Sequence, residues 1–235
     1  MPPTVKTGAE QAGAVESPNP KPRRYRSPVR AEQARQTRLA VLRAARDLLA
    51  EHGYDATTVA MVAATAGVSV DTVYTSVGRK PELAVAVVDM VLGSSDEPVP
   101  AQERDYVRAM LSARTGREKL AVYAAALESL IPRTAPLLEA LRRAGESDPA
   151  SAGAWSMVME RRAGNMLRLA ADLRTTGDLR TDLSDREVAD IIWTTNSSEY
   201  WLLLQSRGWS AERYSALLED LWCRLLLEPG VGLSP

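Results

Sequence analysis

The sequence contains no phenylalanine, only one cysteine and only one histidine among its 235 residues. One cysteine cannot form an intrachain disulfide, and Cys223 with His52 supplies too few side chains for a zinc cluster or a nucleophile–histidine pair. We therefore predict no metal, no other cofactor and no enzymatic activity. Because aromatic residues reach only 5%, Leu, Val, Ala, Met and five Trp must fill the core, and Cys223 is expected there as a buried thiol.

The sequence also lacks a run of about 20 apolar residues, the length that spans a bilayer as a helix. Its first residues are Pro, Gly and Ala with scattered polar residues, without the charged and then apolar order of a secretory signal. We therefore expect a cytoplasmic protein without a membrane partner.

Basic residues are concentrated towards the N-terminus, although the net charge is only −1. Residues 21–80 hold 11 Lys and Arg against 5 Asp and Glu, whereas the rest of the chain holds 18 against 25. A basic first module on an acidic remainder is the distribution expected when one end of a protein contacts nucleic acid.

Composition divides the chain into four segments. Scattered Pro and Gly without an apolar period predict a disordered extension over residues 1–30. This extension ends in the basic arm KPRRYRSPVR, whose Arg24 and Arg26 are candidates for DNA contact, although such a tail could also serve only solubility. The other segments are predicted to be a DNA-binding domain (31–80), a connecting helix with a linker (81–98) and a larger helical domain (99–230).

Apolar residues recur at helical spacing beyond the extension. A first helix is predicted over residues 32–51, and Thr57 or Thr58 can cap a second. A short third helix follows over residues 70–77, and Pro81 opens a fourth that extends to Leu92. Further helices are predicted over residues 101–114, 117–131, 135–144, 150–176, 185–206 and 211–227. No alternating run is long enough for a sheet, which predicts an all-α fold.

The second and third helices are separated by AGVS, a spacing typical of a helix-turn-helix, in which the second of the two helices enters the major groove. Periodicity alone would equally fit an ordinary three-helix bundle. The segment AARDLLAEHGYDATTVAMVAATAGVSVDTVYTSVGRKPEL, however, resembles the N-terminal motif of the TetR family of transcriptional regulators, over about residues 39–83.

The resemblance implies a three-helix helix-turn-helix DNA-binding domain followed by a larger helical ligand-binding and dimerisation domain. It also implies the function of a repressor that a small-molecule effector releases from a palindromic operator. The residues that would contact phosphates are Thr58, Tyr74 and Lys80, and those that would face bases or nearby backbone are Ser69, Val70, Asp71, Thr72 and Thr75. Lys80 stands at a helix start, where free N–H groups and the helix dipole favour an anion.

The third helix departs from the family pattern at three positions. Asp71 stands where glycine is frequent, and its carboxylate could accept a hydrogen bond from cytosine N4 or remain a solvated charge. Ser76 and Val77 replace residues that are usually larger. Because this helix carries no Arg or Asn, specificity would depend on Thr and Val contacts to thymine methyls and on DNA shape.

One helix-turn-helix reads only a half-site, so we expect a homodimer on a double-stranded DNA operator. The last two predicted helices offer the broadest apolar stripes for the dimer interface. Their apolar residues are Val188, Ile191, Ile192, Leu202, Leu203, Tyr214, Leu217, Leu218, Leu221 and Leu225.

A small-molecule effector of unknown identity would bind among the remaining helices of the larger domain. The candidate contacts are Met110, Tyr123, Leu127, Trp155, Met159, Met166 and Trp193, although Met and aromatic residues at helical spacing more often form plain core. A polar island at residues 194–199 could line this pocket, hydrogen-bond across the dimer or join helices within one subunit. Glu128 and Glu160 could favour a cationic ligand, but charges on helix faces are usually solvated.

Two other functions remain open at this point. A DNA-binding protein controlled by its own concentration or by a protein partner, with no small-molecule ligand, would have the same N-terminal domain. An enzyme would require a cluster of His, Cys and acidic residues that the sequence does not offer. Activation instead of repression is also open, because it depends on where the operator lies relative to a promoter.

Overall fold

The computed structural model describes Met1, residues 28–97 and residues 99–230, and ten α-helices account for most of these residues. The helices are α1 Pro28–Ala56, α2 Val59–Ala66, α3 Val70–Ser76, α4 Lys80–Gly93, α5 Asp105–Ser112, α6 Gly116–Ala144, α7 Pro149–Arg174, α8 Asp185–Thr195, α9 Ser198–Gln205 and α10 Ala211–Leu226. Within the described ranges, β pairing is limited to one isolated bridge between Leu179 and Leu227. The predicted all-α fold is confirmed.

The structure differs from the sequence prediction at the C-terminal end of the predicted extension. Helix α1 already begins at Pro28, so residues 28–30 are helical rather than part of a disordered arm. Proline is favoured in the first turn of a helix because its missing N–H has no intrahelical partner there. The rest of the arm, with Arg24 and Arg26, lies outside the described residues.

Local signals explain where the short helices of the N-terminal module begin and end. The Thr58 hydroxyl accepts a hydrogen bond from the Met61 N–H and caps α2, while the Ser69 hydroxyl accepts one from the Thr72 N–H and caps α3. Gly67 ends α2 in the left-handed region at φ +67°, which glycine adopts without a Cβ clash. The two caps and the glycine therefore set the turn between α2 and α3.

One hydrophobic core joins the first four helices to α6 and α7. Leu42 of α1, Val62 of α2 and Val73 of α3 are almost fully buried in it, together with the apolar residues of α4. Leu141 of α6 and Val158 of α7 belong to the same core. Because α4 is buried on nearly all sides, a shift of α4 must change the packing of both the DNA-binding helices and the larger domain.

A second core lies among helices α5 to α10. Trp201, Tyr214 and Trp222 fill its centre and are almost completely inaccessible to solvent. Helix α6 is the central element, since it contacts α1, α4, α5, α7, α9 and α10. Cys223 lies in this core as a free thiol, which confirms the prediction, and burial raises its pKa.

Two helix boundaries in the larger domain differ from the sequence prediction. Residues 117–131 and 135–144 were expected as separate helices, but α6 continues through Pro132 and Pro136. Residues 185–206 were expected as one helix, but α8 ends at Thr195 and α9 begins at Ser198.

None of the described helices has the length and apolar character needed to cross a membrane.

Candidate nucleic-acid interface and ligand cavity

The residues predicted to contact DNA lie at the starts of α2, α3 and α4 and on the outer side of α3. Tyr74 is 47% exposed and Val70 is 37% exposed, whereas Val73 between them is fully buried in the core. The remaining predicted contacts are exposed at Thr58, Ser69, Asp71 and Thr75 and half-buried at Thr72 and Lys80. Helix α3 thus presents hydroxyls, a valine, a tyrosine and one carboxylate to solvent.

The hydroxyl groups of this surface are partly engaged within the helices. Thr75 Oγ1 donates to the carbonyl oxygen of Asp71 at 2.9 Å, so its oxygen remains free to accept a hydrogen bond. Ser69 Oγ and Thr72 Oγ1 lie 2.8 Å apart. Thr58 Oγ1 instead accepts from a backbone N–H, so its own proton is free to donate to a phosphate oxygen.

Asp71 occupies the first turn of α3, where the helix dipole favours a negative charge. It is exposed, and among the described residues it has no salt-bridge partner. This geometry is compatible with both alternatives derived from the sequence, acceptance from cytosine N4 and a solvated charge.

Lys80 is held between the end of α1 and the start of α4. Its ammonium group lies 4.3 Å from the centre of the Tyr54 ring and donates to the Asp55 carbonyl oxygen at 3.2 Å. Burial lowers the pKa of Lys80. An ammonium group has three donors, so the remaining N–H groups can reach a phosphate while these contacts hold the side chain in place.

A further basic residue, which the sequence did not single out, supports the recognition helix. The half-buried Arg38 of α1 donates to the carbonyl oxygen of Ser76, the last residue of α3. This contact satisfies a carbonyl at the end of the helix and places a cation at the negative end of its dipole. Arg38 therefore stabilises the orientation of α3 on α1.

A cavity of about 210 Å³ lies in the larger domain between α4, α5, α6 and α7. Its wall is mainly apolar, with Val88 and Leu92 contributed by α4. Four of the seven residues predicted to contact a ligand line it, namely Met110, Tyr123, Leu127 and Met166. The structure thus gathers residues from three helices around one space, as small-molecule sites require.

An ion-pair cluster joins the cavity wall to α4. Asp89 of α4, only 13% exposed, accepts hydrogen bonds from Arg161 of α7 at 2.8 and 2.9 Å. The almost fully buried Arg104, which precedes α5, donates to the same carboxylate at 3.2 Å. Both arginines line the cavity. Two cations therefore share one carboxylate, which leaves an excess of positive charge at the cavity wall.

The polar island between α8 and α9 reaches the cavity from the opposite side. Asn196 donates to the Tyr123 hydroxyl at 2.7 Å and accepts from Arg162 Nη2 at 2.6 Å. Burial raises the pKa of Tyr123, which keeps the phenol neutral. Thr195 accepts from Trp222 Nε1 at 2.8 Å. The island therefore hydrogen-bonds within the subunit, and Asn196 and Ser198 line the cavity.

Residues 41–87 match the family model described as bacterial regulatory proteins of the tetR family. The N-terminal module is therefore of the TetR type. This match covers α2, α3 and about half of α1 and of α4, and it supports a DNA-binding role for these helices. No curated protein sequence matches the chain.

Solved structures of transcriptional regulators share the fold over most of the chain. A putative transcriptional regulator from Saccharomonospora viridis in complex with choline is 16% identical, with a TM-score of 0.61 over 84% of this chain and 99% of that one. SmeT of Stenotrophomonas maltophilia in complex with triclosan is 21% identical, with a TM-score of 0.58 over 85% and 97%. TylP, a TetR regulator from Streptomyces fradiae, is 23% identical, with a TM-score of 0.55 over 86% and 90%.

Three of the predicted ligand contacts lie away from the cavity wall. Trp155 and Met159 of α7 pack against the core shared with the N-terminal module. Trp193 of α8 lies beneath the Arg162 guanidinium, 5.4 Å from it. The acidic candidates Glu128 and Glu160 are exposed and do not line the cavity. The sequence signal could not separate these faces because each helix carries apolar residues on more than one side.

Proposed function

We propose that the protein is a TetR-type regulator, a homodimeric repressor that a small molecule, bound in the α4–α7 cavity, releases from a near-palindromic operator. DNA contact is assigned to the surface formed by Thr58, Ser69, Val70, Asp71, Thr72, Tyr74, Thr75 and Lys80, with the basic arm at Arg24 and Arg26 as an addition. A repressor of this kind works in the cytoplasm, where the operator is. The relatives bound to choline and to triclosan support a ligand in this fold.

The position of α4 carries this proposal. Its first residue, Lys80, follows the recognition helix α3 by a short turn, while Val88 and Leu92 of the same helix line the cavity. A ligand that prefers a shifted α4 therefore changes the spacing of the two recognition helices in a dimer. A coupling of about 1 to 3 kcal/mol would change operator affinity roughly 5- to 150-fold.

The test begins with selection of bound DNA from a random pool by the full chain, followed by anisotropy titrations of the enriched site. We expect a near-palindrome and release of the DNA when the cavity is occupied. Enrichment of asymmetric sites, or none, would contradict the dimeric repressor. Operator affinity that no cavity ligand changes would support control without a small molecule.

The dimer surface is assigned to the exposed apolar residues of α9 and α10. Leu203 is 68% exposed and Leu225 is 41% exposed, a costly arrangement for large apolar side chains unless another surface covers them. Ile191, Leu202, Leu217 and Leu221 are half-buried. The other residues predicted for this interface, Val188, Ile192, Tyr214 and Leu218, are buried within the subunit core.

Replacing Leu203 by glutamate is expected to raise the dimer dissociation constant by at least about tenfold, because a two-fold interface contains each substituted residue twice. Sedimentation analysis over a concentration series measures this change. Val29→Glu, at a similarly exposed apolar position at the start of α1, is the matched control and should leave the dimer intact. A Leu203→Glu protein that dimerises like the parent would contradict the assigned surface.

A further inference from the structure

The charges around the cavity are unusually one-sided. Four arginines line it, and within the described ranges no Asp or Glu belongs to the wall; these arginines are Arg104, Arg161, Arg162 and Arg168. Among the described residues, Asp89 is the only carboxylate that pairs with any of these arginines, namely Arg104 and Arg161, and it lies behind the wall on α4. A cationic ligand would meet repulsion here, whereas an anion would meet attraction from several sides.

Arg162 is half-buried and, unlike Arg104 and Arg161, it forms no salt bridge with any described residue. Its Nη2 group donates to the Trp193 carbonyl oxygen at 3.1 Å and to Asn196 Oδ1 at 2.6 Å, and Nη1 lies 3.4 Å from Met159 Sδ. All these acceptors are neutral, and in the described part of the chain no carboxylate lies within salt-bridge distance of Arg162. Burial lowers its pKa. Glu199 attracts this half-buried guanidinium only from beyond salt-bridge distance. A bound anion would supply the direct counter-charge and offset the cost of burying the cation.

The remainder of the wall is suited to an apolar body. Met110, Leu127, Leu130 and Ile131 line the side formed by α5 and α6. The volume of about 210 Å³ is below the roughly 300 to 1,000 Å³ of pockets for drug-sized ligands. The space therefore fits a compact molecule with one charged end.

We propose that the cavity binds a compact apolar carboxylate whose anionic end is held by Arg162 and competes with Asp89 for Arg104 and Arg161. This inference rests on the proposed function and adds to it the chemical class of the effector and the contact through which it acts. A carboxylate and a guanidinium form short, charge-assisted hydrogen bonds, so the ligand offers the arginines the same partner chemistry as Asp89 does.

The competition gives α4 two arrangements. Without ligand, Asp89 ties α4 to Arg161 of α7 and to Arg104 before α5. With ligand, these arginines turn towards the bound carboxylate and α4 loses both ties to the larger domain. Since α4 begins beside the recognition helix, the loss of these ties favours the arrangement that no longer fits the operator.

The ligand class is tested on the full chain without DNA, by calorimetry and by Trp fluorescence, which reports on Trp193 beneath Arg162. The probes are two matched sets: octanoate, octanamide and octylamine, and naphthoate, naphthamide and naphthylmethylamine. We expect the acids to bind at least about tenfold more tightly than the amides, and the amines not to bind. Equal or weaker binding of both acids would overturn the proposal.

Three variants identify the groups involved. Arg162→Met keeps the apolar stem and is expected to lower the affinity for the acids at least about tenfold, with little change for the amides. Arg162→Lys should retain part of the affinity because it retains the charge. Arg224→Met, at an exposed ion pair on α10, is the control and should bind as the parent does. Loss of acid and amide binding alike in Arg162→Met would indicate a structural role only.

The Asp89→Asn variant tests whether Asp89 competes with the ligand for the arginines or has only a structural role. Because the variant removes the competitor but keeps the shape, we expect tighter acid binding and weaker operator binding in the same protein. A structural role alone would weaken both, and that outcome would overturn the proposed competition. If the chain binds no operator at all, the proposed function fails; if it binds an operator that only amides or amines release, only the ligand class fails.

Discussion

Replacing Tyr74 by alanine is expected to lower operator affinity by at least about a hundredfold. The exposed phenol at the outer side of α3 is the group assigned to a phosphate oxygen, and a hydrogen bond to a charged group contributes about 1.5 to 3 kcal/mol. A dimer loses this contact twice, so the losses combine. Fluorescence anisotropy with the selected operator, at one fixed salt concentration, measures the change.

Two further variants show whether the Tyr74 hydroxyl is responsible. Tyr74→Phe retains the ring and should lose most of the same affinity, because only the donor to phosphate is removed. Met157→Ala, at a residue of α7 that is similarly exposed, should bind the operator as the parent does. If the phenylalanine variant bound DNA as tightly as the parent, the assignment of Tyr74 to a phosphate would be wrong.

Replacing Trp222 by alanine is expected to give the largest loss of stability, about 3 to 5 kcal/mol. Trp222 is 0% exposed at the centre of the second core, stacks on Tyr123 at 5.6 Å and donates from Nε1 to Thr195 Oγ1. The substitution leaves a large cavity and removes the donor to the Thr195 hydroxyl, which keeps only the bonds it donates to the carbonyl oxygens of Ile191 and Ile192. Chemical unfolding followed by circular dichroism measures the change in the free energy of unfolding.

Trp209→Ala is the matched control for this loss. Trp209 is half-buried before α10, and its ring faces the Arg213 guanidinium at 3.8 Å. A partly exposed cation–π contact contributes about 0.5 to 1 kcal/mol, so the variant should be only slightly destabilised. Similar losses in the two variants would show that Trp222 is not the central packing residue described above.

The helix-turn-helix could be predicted closely because its signals are local. Gly67 provides a left-handed helix end, and Thr58 and Ser69 provide caps that bond within three residues of themselves. On α3, Val73 is buried whereas Tyr74 and Thr75 are exposed, so one face of the helix packs on the core and the other faces solvent. These features do not depend on distant parts of the chain.

The course of α6 could not be predicted because tertiary contacts outweigh its prolines. Pro132 and Pro136 usually end helices, since each lacks an N–H and crowds the carbonyl four residues earlier. Pro136 is exposed and Pro132 is half-buried, so water can reach the backbone groups that they leave without partners. Packing of both halves of α6 against the surrounding helices then holds the chain helical.

The sequence contains a signal for the break between α8 and α9, although residues 185–206 were predicted as one helix. The run TTNSS consists of residues that hydrogen-bond to nearby backbone and cap helices. In the structure, Asn196 ends α8 and Ser197 caps α9 by accepting from the Tyr200 N–H. The polar island is therefore a helix junction whose Asn196 also faces the cavity.

The arginines of the cavity could not have been found from the sequence. Arg104 and Arg161 are 57 positions apart, and Asp89 joins them only through the folded packing of α4 against α7. Arginine on a helix is usually solvated, so periodicity predicts an exposed side chain. Only the geometry shows that these charges surround an apolar space.

Cys223 is the only cysteine of the chain and is buried, so the reactivity of its thiol reports how often the second core opens. Thiol reagents attack the thiolate, and burial both shields this sulfur and raises its pKa. The rate at which a maleimide modifies the unaltered chain therefore measures how often α10 separates from α6, and every modified molecule carries its label at one known position. Modification rates with and without ligand can be compared without engineering a cysteine.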